Sequence, residues 1–495
     1  MGGCEALFTL EISMIAARFR NLLVATLFLG SLTSALAKNT LYVNGVHGND
    51  NNNCKTWRTA CKTIGHAISL ASSGDCIRVA PATYTENLTI NFSLRIIGSD
   101  ASTTIIDGGG NGSVVTINRG DFHVTLSKLT IQNGYQYDDL GGGIYNGATL
   151  TVNRCTISGN YAGGGGGIEN AGVLTIDDTT ISANRVGDWT GGGGIENDGT
   201  LRISRSTVSG NVASDDTGDG GGGIFNRGGT LVVDHSTISG NIAGGGTGGG
   251  NGGGILNNGT MVVSDSTIAG NSASGGSGGR GGGIFNQSGA LTTINRTTLD
   301  GNSAEHFGGG IMNYGTLTTD NSTLVGNTAY GESCGGGGIA NGYLSYGGTA
   351  TINNSTLSGN SAPGCGGGNA GGILNSSSNT VTLQNSIVAN STYGGNCAGV
   401  ITSDGYNLSS DDTCNFNGPG DMNNTNPELQ PLGNYGGPTQ TMAIFAGSPA
   451  IDAGNPNGCT NGNGHLLKTD QRGYPRPGAY DHHGCDMGAF ENQKH

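Results

Sequence analysis

The chain has 495 residues, 98 of them glycine, and a formal net charge of −14 with only 21 Lys and Arg. The glycines show no three-residue period and proline is scarce, which excludes a collagen-like helix; 34% hydrophobic and 11% charged residues exclude a solvated, disordered chain. No basic stripe occurs, so nucleic acid and anionic membrane surfaces are not expected as partners.

Residues 1–37 read as a secretory signal peptide. Arg18 and Arg20 precede the apolar run Leu22–Leu29, and Ala35-Leu36-Ala37 supplies the small residues of a cleavage site. Met14 opens a leader of ordinary length and is the alternative start. The run is too short for a stable membrane-spanning helix, so no transmembrane span is expected in the mature chain. Cysteine usage agrees with export. Beyond Cys4, Cys54, Cys61 and Cys76 lie close together, and Cys334 with Cys365, Cys397 with Cys414, and Cys459 with Cys485 are natural disulfide candidates.

Residues 38–87 are the expected N-terminal cap. Within them, "CKTIGHAISLA" puts Ile64, Ala67, Ile68 and Ala71 on one helical face, suited to plugging the open end of a strand stack. Residues 88–395 are the expected rungs. The first are irregular; the rest repeat a unit typified by "GGGGIENDGTLRISRSTVSGN" (Gly191–Asn211). Its isoleucine recurs at Ile144, Ile168, Ile195, Ile224, Ile255, Ile284, Ile311, Ile339 and Ile373, 24 to 34 residues apart, and only the stretch after the closing Gly-Asn turn varies in length. Constant strands with one variable corner are the signature of a solenoid. Period-two alternation predicts strands with Leu201, Ile203, Ser206 and Val208 inward and Arg202 and Thr207 outward. Three short strands then make one coil, and roughly a dozen coils stack about 4.8 Å apart. The asparagine two residues after each isoleucine (Asn146, Asn170, Asn197, Asn226) is expected to form an amide ladder.

The repeat "GGGI-x-N-x-G-x-L-x-I-x-x-STISGN" resembles the right-handed parallel β-helix repeats of bacterial surface proteins, including polymorphic outer-membrane protein repeats. In residues 396–495, "SPAIDAG", "TDQRGYPRP" and "CDMGAFE" resemble the choice-of-anchor Q domain of bacterial secreted proteins. The resemblance implies an all-β, right-handed parallel β-helix of pectate-lyase-like form with a C-terminal cap, in a protein that is secreted or associated with the cell surface or outer membrane. Asp452, Asp470, Arg472, Arg476 and Asp486 are expected to pair and lock that cap.

The candidate sites follow from the columns. Glu169 and Glu196 fill the same slot in successive rungs, so their carboxyls fall roughly 5 Å apart, near the separation of a retaining glycosidase pair. This is the weak catalytic candidate, expected at an exposed position; Tyr145, Phe225 and Phe285 fill the same slot elsewhere and are the candidate glycan contacts. Asp215, Asp216 and Asp219 in "SDDTGDGGGG" are the candidate ligands for Ca²⁺, against the default of a solvated turn. Arg154, Asp178, Arg205, His235, Asp265 and Arg296 form a column expected to be a structural ion-pair ladder, and Thr156, Thr180, Thr207, Thr237, Thr267, Thr298, Thr323 and Thr356 an outward threonine column. Cys155 reads as a small core residue in a serine slot. The functional expectation is a non-catalytic module binding a polysaccharide or cell-surface glycan, with a polysaccharide lyase or glycoside hydrolase as the alternative.

Overall fold

The computed structural model describes residues 39–493 except 138–140, 188–190, 215–219, 245–248, 277, 333–334, 345, 365–368, 377–378 and 479–483. The signal peptide, the acidic-loop residues Asp215, Asp216 and Asp219, and the pair Cys334 and Cys365 lie outside the described residues.

The chain is a right-handed parallel β-helix. Its named strands assemble into four parallel sheets of 12, 14, 13 and 8 strands, with each strand joined to its copy one coil away. In the coil beginning at Ile195, sheet 1 takes Ile195–Asn197, sheet 2 takes Thr200–Ser204, sheet 3 takes Thr207–Ser209, and sheet 4 takes Val212–Ala213. The fourth strand corrects the three-strand coil expected from sequence. It is only two or three residues long and directs one small side chain inward (Ala162, Val186, Ala213 or Ala243), too short a pattern to show alternation.

Registers are residue on like residue. Ile195 pairs with Ile224 and Leu201 with Leu231, all fully buried in one continuous interior. Ile203, Ser206 and Val208 are buried with them, while Arg202 and Thr207 are half-buried on the outside. Close stacking fixes the glycine before each isoleucine: a Cβ on Gly194 would lie 2.7 Å from the Gly223 carbonyl oxygen.

Polar columns complete the interior. Asn170 Nδ2 donates to Asn197 Oδ1 at 2.7 Å, and Asn197 to Asn226 at 2.7 Å, in a ladder running from Asn146 to Asn375. A second ladder, hidden in the sequence by its turn-like Gly-Asn setting, runs from Asn160 to Asn360; Asn184 Nδ2 donates to Asn211 Oδ1 at 3.0 Å. A hydroxyl column adds to these, with Ser206 N–H donating to Ser236 Oγ at 3.1 Å. Cys155 occupies its slot, is 3% exposed, and has its thiol pushed up to about 12 by burial.

The charged column has a backbone cause. Arg154, Asp178, Arg205, His235, Asp265 and Arg296 all turn the corner between sheets 2 and 3 with φ between 46° and 52°, and Asn321, Asn354 and Asn385 continue the series. Residues with short polar side chains tolerate this left-handed region best. Ion pairing overlays the corner: Arg154 with Asp178 at 3.2 Å and Arg296 with Asp265 at 2.5 Å, whereas Arg205 turns instead to Asp177 at 2.6 Å.

Parallel strands begin at Thr40–Val43, so coiling starts inside the stretch 38–87 expected as a cap. A helix over Ile64–Leu70 packs Ile64 and Ala67 into the core end, with Ile68 and Ala71 against it. Its free N-terminal donors are satisfied by Glu86, which accepts from the N–H groups of Ile64 (2.9 Å) and Gly65 (2.7 Å). A Cys54–Cys61 disulfide ties down the loop before it. At the other end, Phe416 and the Cys397–Cys414 disulfide enter the core.

The described residues of 427–493 lie along the outside of sheet 3, where Thr323 Oγ1 donates to Gln471 Oε1 at 2.6 Å and Ala489 N–H to Thr356 Oγ1 at 3.0 Å. A small core of Ile444, Ala450, Met487 and Phe490 packs on Ile387 and Ala389, and Cys459–Cys485 is a disulfide. Arg472 pairs with Asp470 at 2.6 Å, but Arg476 pairs with Glu491 at 2.8 Å rather than with an aspartate, and Asp486 accepts from the Asp452 N–H at 2.8 Å.

Candidate functional site

The outward slot of sheet 1 runs Tyr145, Glu169, Glu196, Phe225, Leu256, Phe285, Met312 in direct register. Alternation turns it away from the isoleucine interior, yet it is not a free surface. The glycine-rich segment preceding each isoleucine curls over it, and Gly165 N–H donates to Glu169 Oε2 at 3.0 Å. That path needs glycine, since a Cβ on Gly165 would lie 1.9 Å from the Ile168 carbonyl oxygen.

Exposure therefore differs from the sequence expectation. Glu169 is 4% exposed and Glu196 1%, and Phe225 and Phe285 are 5% and 4% exposed in a second apolar cluster with Leu256, Phe307, Met312 and Tyr314. Of the three aromatic contact candidates, Tyr145 alone stays half-buried, with Arg119 beside it. The physical reason is the glycine cover, which leaves no apolar signature in the sequence to announce it.

Two further residues complete the acidic cluster. Oxygens of Glu169, Glu196 and Asp198 lie within 4.8 Å of one another. Arg227, one rung on, places Nε 3.0 Å from Glu196 Oε1 and Nη2 2.7 Å from Asp198 Oδ2. Asp198 and Arg227 share the slot after the ladder asparagine, as their backbone bonds to the Asn170 and Asn197 carbonyls show. An opposite-charge pair in adjacent copies of one slot was the available signal.

Burial, then the charges of Glu196 and Asp198, push the Glu169 carboxyl up to about 9, so it holds a proton at neutral pH. The hydrogen bonds that Arg227 donates to Asp198 raise the guanidinium above its usual value. The cluster thus contains an acid, two further carboxylates and a fixed cation, an arrangement capable of holding a proton, with Glu169 and Glu196 buried and Asp198 and Arg227 at the surface.

Elsewhere, sheet 3 presents half-buried threonine and serine on its uncovered rungs: Thr156 with Ser158, Thr180 with Ser182, Thr207 with Ser209, and Thr237 with Ser239. The column of these serines continues as Ala269, beside Thr267, and then as Asp300 and Val325, in the rungs where the C-terminal segment covers Thr298 and Thr323.

No family model matches the chain, and no curated protein sequence resembles it significantly. Among solved structures, the chain is similar to pectate lyase Pel9A (14% identity, 92% of this chain and 97% of that one, TM-score 0.40). It is also similar to the Dettilon tailspike protein (15%, 74% and 68%, TM-score 0.34) and to the PL6 family alginate lyase AlyGC (15%, 82% and 55%, TM-score 0.35).

Proposed function

We propose that this protein is an exported β-helix that binds a glycan, free in the extracellular space or at a cell surface, without cleaving it. The observation that carries this reading is the burial of Glu169 and Glu196, at 4% and 1% exposure, which withdraws the best acid–base pair from any bound polymer. From Thr156 to Ser239, sheet 3 keeps an uncharged, regularly spaced hydroxyl surface accessible. The disulfides fit an oxidising compartment, and no helix among the described residues is long and apolar enough to cross a membrane.

A second reading, a polysaccharide lyase or glycoside hydrolase, is favoured by one observation: a guanidinium lies 3.0 Å from Glu196. Incubating the protein with a polysaccharide panel, scored for retention and for reducing ends or unsaturated products, separates the two. Retention without products is expected. Products that disappear in Glu196→Gln would establish the enzyme instead.

A further inference from the structure

The corner following the first asparagine ladder changes character along the solenoid. Its leading slot holds Asp198, Arg227, Asn258 and Gln287 in successive rungs, then Tyr314, whose N–H donates to the Asn286 carbonyl at 2.7 Å. The corner is short where residues 198–199, 258–259 or 314–315 link sheets 1 and 2, but spans residues 342–348 in the rung after Tyr314. That expanded corner is a hairpin, closed by reciprocal backbone bonds between Tyr343 and Tyr346 (3.1 and 3.0 Å).

The hairpin builds an aromatic platform. Tyr346 stacks on Tyr314 with centroids 5.0 Å apart and planes at 24°, while Tyr343 lies 4.3 Å from Phe307. Tyr314 is 7% exposed and holds Tyr346 from below; Tyr346 itself is 54% exposed. A shallow groove of about 300 Å³, lined by Tyr314, Gly315, Gly348, Thr316, Thr349 and Thr380, lies on the adjoining rungs and meets Tyr346 through Tyr314. The glycines are imposed by ladder packing, since a Cβ on Gly348 would lie 2.5 Å from Asn341 Oδ1. Tyr346 keeps about half of its surface in water beside a polar groove, and its ring offers a ligand a rigid apolar face with a polar tip.

We propose that this groove holds a strand of neutral polysaccharide along the solenoid axis, with a sugar ring on Tyr346 and sugar hydroxyls on the threonines. The chemistry of the lining selects the ligand class. No charged side chain lines the groove, and Arg280, the cation whose charge reaches Tyr314, stands outside the lining, so a polyanionic glycan finds no direct counter-charge in the groove. Threonines in adjacent rungs repeat at about 4.8 Å, offering an extended chain one hydroxyl per rung. A tyrosine ring supplies rigid contact area at little entropic cost. This assignment rests on the glycan-binding reading above and names the place and class.

The test is affinity electrophoresis of the full protein in gels containing neutral polysaccharides (xyloglucan, galactomannan, mixed-linkage glucan) or anionic ones (polygalacturonate, alginate). Tyr346→Ala and the groove-filling Thr349→Trp are compared with Thr207→Trp on the sheet 3 face, with circular dichroism verifying each fold. Retardation in a neutral gel is expected, weakened about tenfold or more by both groove variants and unchanged by Thr207→Trp. Wild-type retardation that survives both groove variants, or is lost only in Thr207→Trp, overturns the groove and leaves glycan binding standing. Retardation by anionic polymers alone overturns the neutral assignment. No retardation in any gel overturns both.

Discussion

Arg227 Nε lies 3.0 Å from Glu196 Oε1, bringing the charge of one rung onto the buried carboxylate of the preceding one. Glu196 is almost fully enclosed, whereas the arginine side chain is 44% exposed, so the pair is asymmetric: only one partner bears a large desolvation cost. Removing the cation leaves that cost uncompensated. Arg227→Gln is expected to lower stability by about 1–3 kcal/mol, a range kept modest because the arginine is partly solvated. Adding Glu196→Gln should restore most of the loss. Urea denaturation of both single variants and the double variant at pH 8 measures the coupling, and additive effects would show that the contact contributes nothing.

Glu169 gives the fold a pH dependence of definite sign. Its carboxyl is held near 9 in the folded chain by burial and by the charges of Glu196 and Asp198, against an ordinary value of about 4.3 when unfolded. Between these values the folded state binds the extra proton. Stability is therefore greatest below about pH 4 with respect to this group, and falls as pH rises towards 9, by up to about 1.4 kcal/mol per pH unit. Glu169→Gln, which cannot ionise, should flatten this part of the profile and leave the variant more stable than wild type at pH 9. Unfolding midpoints measured from pH 5 to 9 test it; parallel profiles for the two proteins would contradict it.

The asparagine ladders predict a sharper penalty than their surface polarity implies. Asn226 accepts from Asn197 and donates to Asn257, each bond 2.7 Å and each partner fully buried. Asn226→Ala breaks both bonds, and each orphaned amide group costs about 1–3 kcal/mol. Hydrogen exchange should report the damage locally, with faster exchange at the corners flanking Asn197 and Asn257 and little change at the distant Asn146 and Asn341. Uniform acceleration along the solenoid would mean that the coils unfold as one unit.

The isoleucine and Leu-x-Ile columns were legible because each residue rests on its own kind, and such repetition survives any uncertainty in loop length. That Glu169 and Glu196 occupy neighbouring rungs followed from the same register. Their burial did not, because it depends on glycines folding back over an outward slot, and glycine carries no apolar signal. The Asn160–Asn360 ladder was masked by a turn motif that explains asparagine equally well. The sheet 4 strands are two or three residues long, below the length at which alternation can be seen. Tyr346 was missed because its hairpin occurs in one rung only, and the repeat pattern draws attention to what recurs.

The docking of the C-terminal segment was invisible to the sequence for a different reason: its contacts join residues more than a hundred positions apart. Arg476 is the centre of that docking. Its Nε lies 2.8 Å from Glu491 Oε2 with both side chains fully buried, Nη1 donates to Asn321 Oδ1 at 2.9 Å, and Nη2 to the Gly488 carbonyl at 2.7 Å. Asn321 in turn donates to the Thr469 carbonyl at 2.9 Å, from a left-handed corner position that fixes its direction. One guanidinium thus joins two stretches of the segment, around Arg476 and around Gly488 to Glu491, to the solenoid corner. Arg476→Ala leaves Glu491 buried without its counter-charge, a change that costs about 3–5 kcal/mol. Because the solenoid interior does not include these residues, the loss should appear as local undocking. Hydrogen exchange is expected to accelerate over residues 427–493 and at the newly uncovered Thr298, Thr323 and Thr356, while the rungs from Ile144 to Asn286 keep their protection. Equal acceleration in those rungs would show that the segment is an integral part of the solenoid's cooperative unit, and unchanged exchange throughout would show that Arg476 does not hold it.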